Sequence, residues 1–436
     1  MENPEFLEWQ HRQHLLEVGR RRADALIALL PHLVPKGHTV ELLEAAREIP
    51  TPWGSGRVLV ALLPYLEQPM KEFVCDEVLS KGSSIEISHR GALELLIKVL
   101  PYISASRMEA ILDTIMGIAR QMSKSSSNDF ELGELAHLLA ERDYRQEALV
   151  IVKMIKNKND RERARVGILN YLVKHLVEQG VLKDALEMVR TVDYDLWRAW
   201  LIAAIVPLIP ENLRLDFIQE GLKSAYAIQI ENRYMAVGPL LPYLPKSQRE
   251  QILEEIIDSI LKDEVASFRT QKLCGILTKV TEPDERDKIF SLALDSASSI
   301  TVPVWKATEL LNLVLYDPPE VISEIFETAE QIDDNMQKAE ILAALLPYLS
   351  EPQRTITLSK VLDILRLNIR MTWLWPKISA YMDETESIEL GKQLLDYAAE
   401  TSNLSSQALA LKDLSSHLPE VLLMRAFYIA ANIGNL

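Results

Sequence analysis

Ile341-Leu-Ala-Ala-Leu-Leu-Pro-Tyr-Leu349 reads as the end of a helix and the turn after it. Its last four residues return at Leu63–Leu66 and Leu241–Leu244, with near copies at Leu30–Leu33 and Leu100–Ile103. A string recurring at a near-fixed interval marks a repeat array, whose units bury their apolar faces only by stacking on one another. With the proline as anchor, equivalent positions fall at Pro31, Pro64, Pro101, roughly Ala136, Lys174, Pro207, Pro242, Lys279, Leu315, Pro347, Ala380 and Ser416, in steps of 32 to 38 residues. The unit around Ala136 aligns ambiguously by one residue, and the other eleven carry the pattern.

Five residues before the anchor stand Leu26, Leu59, Leu96, Leu169, Ile202, Val237, Cys274, Leu310, Leu342, Trp375 and Leu411, all apolar. Two before it stand Leu29, Leu62, Val99, Leu172, Ile205, Leu240, Leu277, Leu313, Leu345, Ile378 and Leu414. Offsets of three and four residues place these on one helix face. In eight units a second proline follows three to five residues past the anchor, as at Pro210, Pro245, Pro283 and Pro352, where one helix stops and another begins. Second helices are predicted over segments such as Arg107–Ile118, Arg249–Ile260 and Arg354–Leu367. Asp160, Asp195, Asn232 and Asp334 are candidate caps for the next first helix. The anchor proline should bend the last turns of its helix. The expected fold is all-α: a single right-handed α-solenoid over residues 1–436, about twelve helix-turn-helix repeats with a period near 35 residues, stacked into a superhelix on the order of 100 Å or more along its contour.

Only residues 121–134, polar and serine-rich, interrupt the pattern; a mobile loop or hinge there would divide 1–120 from 135–436. The net charge of −16 disfavours wrapping phosphate backbones as the main task. Cys75 and Cys274 lie far apart in apolar patterns, which fits a reducing cytoplasm. The first residues lack a signal-peptide layout, and the longest apolar runs are too short for a membrane span.

The units at 233–246 and 338–352 resemble the TPR-like or HEAT-like helical repeats found C-terminal to the nucleotide-binding domain in bacterial signal-transduction NTPases of the STAND class. The NTPase itself is missing, since no Gly-x-x-x-x-Gly-Lys-Ser/Thr occurs. The resemblance implies a sensor or docking module that acts with another chain in bacterial signalling or antiviral defence. The Trp-x-x-Leu-Gly start of the 34-residue TPR consensus is absent, which puts a TPR peptide clamp in doubt.

One residue past the anchor runs a column of rings with polar tips, His32, Tyr65, Tyr102, His175, Tyr243, Tyr316, Tyr348, Tyr381 and His417, broken by Leu208 and Val280. It reads either as a ladder lining a groove or, preferably, as packing in the seams between repeats. Nine residues before the anchor a basic column holds Arg22, Arg165, Arg198, Arg233, Lys306 and Lys338, with acids close enough to neutralise it internally. Lys153, Lys156, Lys158, Arg161, Arg163 and Arg165 form the densest positive patch. These six, with Arg198, Arg233, Trp197 and Trp200, are the candidate partner contacts. His11, His14 and Glu17 could in principle share a metal at three-residue steps, although two histidines near a chain end rarely do. No assembled enzyme motif is present, and no catalytic residue, cofactor or metal is expected. The favoured function is a non-enzymatic protein-binding scaffold or sensor. A nucleic-acid binder using the basic patch, or a substrate or regulator cleaved or modified within 121–134, stays open beside it.

Overall fold

The computed structural model describes residues 4–82, 89–178, 186–187, 189–316 and 318–434. Among them every regular element is a helix and none is a strand, so the chain is all-α. It divides into two compact units, residues 123–348 and residues 1–122 together with 349–436.

In the unit 123–348, the first helices Lys158–Glu178, Asp195–Ile205, Ile230–Val237, Ala266–Leu277, Pro303–Leu313 and Asn335–Leu345 pack each against the next. Neighbours run in the same direction and in register. Trp200 Nε1 donates to the Met235 carbonyl at 2.9 Å, each residue lying seven before its anchor. The unit formed by 1–122 and 349–436 repeats the device, with Arg57 Nη1 at 2.7 Å from Asp24 Oδ1. The column five residues before the anchor is buried in ten of eleven units, with Cys274 half-buried. The column two before it is buried in every unit where its side chain is described; that of Leu172 lies outside the described residues. At about 1.5–3 kcal/mol for each large aliphatic side chain withdrawn from water, these two columns form the core of the stack.

The turn differs from the bend expected at the anchor. Leu63–Tyr65, Leu100–Tyr102, Val206–Leu208 and Leu346–Tyr348 are each a single 3₁₀ turn set directly on the end of an α-helix. Proline at the second place has no N–H to offer, and the tighter winding removes the need for one. The residue after the turn then goes extended, as Leu66 (φ −89°, ψ 146°) and Ile209 (φ −84°, ψ 136°) do, and donates its N–H back across the turn. Second helices follow at Ala105–Met122, Lys246–Leu261 and Glu351–Leu367, over the predicted segments. Of the four candidate caps only Asp334 acts as one, accepting the Gln337 N–H at 2.9 Å. Asn157 takes the role at the helix carrying Asp160, and Tyr194 and Gln229 occupy the N-cap positions assigned to Asp195 and Asn232.

Within residues 121–134 the break is confined to 123–128, between two helices, and the division between the two compact units falls at 122/123. Helix Ala105–Met122 ends, Ser126–Asn128 makes one 3₁₀ turn, and helix Asp129–Glu141 begins. The Asp129 carboxylate, 1% exposed, accepts the backbone N–H groups of Lys156 at 3.2 Å and Asn157 at 2.7 Å. That buried anchor fixes the helix start to the next hairpin, an interaction too distant in sequence for local composition to reveal.

Within the unit formed by 1–122 and 349–436, the first and last helices of the chain pack together. Helix Pro4–Leu33 packs against Pro52–Leu62 and also against Leu404–Ser415 and Glu420–Ala431, so the first and last hairpins are neighbours. Arg22, 6% exposed, donates its Nε to the Ile433 carbonyl at 2.6 Å, Ser405 bonds Glu17 at 3.2 Å, and Lys36 pairs with Glu420. On its other side the N-terminal helix approaches Pro52–Leu62 at a crossing of glycines: a Cβ on Gly54 would lie 2.6 Å from the Gly19 carbonyl oxygen.

Gly54→Ala should therefore destabilise the protein by about 1–3 kcal/mol through overpacking against backbone. Gly117→Ala, on a helix where an added Cβ meets nothing within 4 Å, should be neutral or stabilising by up to about 1 kcal/mol. Urea midpoints of the two variants check the pair.

Candidate interaction surface

Most predicted basic contacts are engaged by the protein itself. Arg161 donates to the Ile155 carbonyl at 3.2 Å, Lys156 Nζ to that of Lys124 at 2.8 Å, and Arg163 lies 5.6 Å over the Phe130 ring. Lys158 sits 3.9 Å from Asp193, Lys153 is exposed, and the Arg165 side chain lies outside the described residues. Asp129, Glu134, His137, Asp160 and Arg163 line one cleft of about 230 Å³, so acids interrupt the positive run.

Described members of the basic column are also engaged by the chain itself. Arg198 and Arg233 donate to the carbonyls of Val192 and Ile228, just ahead of their own helices, and pair with Asp195 and Glu255. Arg269, one position before the column, reaches the Asp263 carbonyl at 2.7 Å, and Lys306 pairs with Glu324 at 2.7 Å. Arg198, Arg233 and Arg269 fasten the connection ahead of their hairpins, whereas Lys306 ties together the two helices of its own. At the chain start Glu17 is bonded to Arg21 at 2.7 Å and to Ser405, and among the described residues no group of three or more His, Cys, Asp or Glu is placed to hold a metal ion.

A second set of arginines closes three of the turns left by proline. Three residues into a second helix, Arg214, Arg249 and Arg354 donate to the carbonyls of Ile209, Leu244 and Leu349, the extended residue after each 3₁₀ turn. The guanidinium face then meets the ring column of the following repeat, Arg214 over Tyr243 at 5.6 Å and Arg354 over Tyr381 at 5.3 Å. Where Val280 breaks that column, Arg249 instead binds Glu285 at 2.9 Å and Glu282 at 3.5 Å. These ring positions act as seam elements.

With the cations occupied, the exposed apolar side chains stand out. Because the first helices stack in register, their N-terminal ends form one edge, which carries Tyr194 (37% exposed), Ile230, Val265, Phe268 (53%), Val302, Trp305 (62%) and Met336. Trp197 meets Tyr194 as a tilted ring pair with centroids 4.9 Å apart, whereas Trp200 is tied into the seam through Met235. Trp305 and Phe268 were not among the predicted contacts. Their signal was the residue directly before the basic column, aromatic in Trp197-Arg198, Phe268-Arg269 and Trp305-Lys306.

The thiols are poor nucleophiles. Burial, assisted by the Glu309 carboxylate, pushes Cys274 up to about 12, and burial beside Asp76 raises Cys75. No helix of the described residues is long and apolar enough to cross a membrane.

No protein-family model and no curated protein matches this chain. One similar solved structure is described as "Circular tandem repeat protein with novel repeat topology and enhanced subunit contact surfaces". The alignment covers 97% of this chain and 100% of that one, at 11% identity and a TM-score of 0.21, a superposition too loose to bear on fold or function.

Arg249→Ala should cost on the order of 2–4 kcal/mol, because Glu285 loses its cation in a mostly buried seam, and Arg249→Lys should recover only part of that. Arg163→Ala, at an exposed stack, should cost no more than about 1 kcal/mol. Urea unfolding of the three variants checks the order. For Cys274 the folded state keeps a proton that the unfolded chain loses above its ordinary value of 9.0. Stability should thus fall as pH rises from about 9 toward about 12, and Cys274→Ala should remove that part of the fall; urea midpoints of both proteins near pH 7 and near pH 10 measure it.

Proposed function

We propose that this chain is a non-enzymatic protein-binding scaffold or sensor subunit. The observation that carries the reading is the edge running from Tyr194 to Met336, where neighbouring helices in register expose aromatic and aliphatic side chains at one level. Large exposed apolar groups aligned in this way mark protein contact surfaces, with Trp as the strongest anchor. The bacterial signalling or antiviral-defence setting rests on the resemblance of the repeats to those of STAND-type NTPases. The nucleic-acid reading has less behind it, because Lys156, Arg161, Arg198 and Arg233 donate to carbonyls of the chain itself.

The test is a photo-crosslinking amino acid placed at residue 305 and, as a control, at residue 356, an exposed position of helix Glu351–Leu367. A protein captured only from position 305 is then purified and titrated against the wild-type chain. Binding that persists as salt is raised and weakens at least about tenfold in Trp305→Ala supports the scaffold. Capture of nucleic acid in place of protein, with affinity that drops steeply with salt and on charge reversal at Arg161 and Arg163, would overturn it.

A further inference from the structure

We propose that the edge bearing Phe268 and Trp305 docks a basic amphipathic helix of the partner, with its apolar face on the two rings and its Lys and Arg side chains on the bordering carboxylates. The inference rests on the scaffold reading and assigns the chemistry of what is bound.

Three observations carry it. Phe268 is 53% and Trp305 62% exposed, each the third residue of its helix, and the two helices pack on one another, which sets two exposed rings at the starts of adjacent repeats. Packed helices lie about 8–10 Å apart. A helix laid across them brings its residues i and i+7 about 10.5 Å apart along its axis, so one apolar stripe can meet both rings in turn.

Charge decides the sign of the partner. Asp193, Glu264, Asp333 and Asp334 stand exposed along this edge. Of the cations beside them, Arg269 is committed to the Asp263 carbonyl, Lys306 to Glu324 and Lys338 to Glu330, while Lys262 stands exposed two residues before Glu264. An incoming acidic helix meets repulsion, and an incoming basic one meets the Glu264 and Asp333 carboxylates, which hold no cation among the described residues, beside Asp193, which already faces Lys158, and Asp334, which caps its helix at the Gln337 N–H. A second copy of this chain would bring the same carboxylates on a body of net charge −16, which argues against self-association through this edge.

The experiment uses the full chain and three fluorescently labelled synthetic helical peptides of one length, with leucine at i, i+3, i+4 and i+7 and the remaining positions lysine, glutamine or glutamate. Anisotropy should show the lysine peptide binding tightest and the glutamate peptide not at all. Phe268→Ala/Trp305→Ala should weaken the lysine peptide at least about tenfold. Glu264→Gln/Asp333→Asn should weaken it less and flatten its salt dependence, whereas Glu250→Gln/Glu254→Gln, on helix Lys246–Leu261, should leave it unchanged. Circular dichroism confirms that each variant is folded.

Equal lysine-peptide affinity for wild type and Phe268→Ala/Trp305→Ala would overturn the proposal. So would glutamate-peptide binding as tight as that of lysine, no binding by any peptide, or a wild-type dimer that Trp305→Ala converts to monomer. A natural partner that crosslinks to residue 305 through an acidic or neutral segment would end this inference and leave the scaffold reading standing. Lysine-peptide binding at the edge with no protein ever captured there would leave the scaffold reading without its partner.

Discussion

The hydrogen-bond bookkeeping of the Leu-Pro-Tyr turn governs much of the rest. Proline has no N–H to give to the carbonyl four residues back, so the helix tightens into 3₁₀ and the next residue swings into an extended conformation. In three turns the carbonyl of that residue is taken by an arginine five positions on, held at a fixed place by the second helix. The far side of two of these guanidinium groups rests on a tyrosine of the following turn. One missing donor thus links the turn within a hairpin to the seam between hairpins.

Fold class was legible because the two aliphatic columns are set by helix geometry within a single repeat, and every repeat supplies another reading of them. Trp375 and Leu411 could be placed in the core from spacing alone, and both are fully buried. At Pro64, Pro101, Pro207 and Pro347 the three residues around the anchor wind as a short 3₁₀ turn in place of the expected bend, whereas Pro31 stands within the last turn of helix Pro4–Leu33. Asp334 was readable as a cap, while Asp160, Asp195 and Asn232 were each displaced by another residue because N-cap preference does not fix register.

Features that depend on residues far apart in sequence left little trace. Asp129 bonds backbone groups 27 and 28 positions on, so a stretch of serines preceding it resembled a loop when it leads into a helix. Trp305 was visible as a letter, but its exposure follows from where its helix starts relative to its neighbours, and an aromatic in an amphipathic pattern is otherwise assigned to the core. The basic column was more legible. Its periodicity was evident and pairing with nearby acids was expected, as at Arg198–Asp195, while its carbonyl partners at Val192 and Ile228 left no trace in the sequence.

An open row of repeats melts from its extremities, since a terminal repeat has a neighbour on one side only. Here the helix Pro4–Leu33 has packing partners on both flanks, and the Arg22–Ile433 contact joins residues separated by 411 positions. Fraying at the chain ends is therefore suppressed by contacts of the same kind that hold interior hairpins together. Thermal opening of this unit should not begin at that helix, and its slowest-exchanging amides are to be sought as readily in the first helix as in the helices between residues 52 and 122.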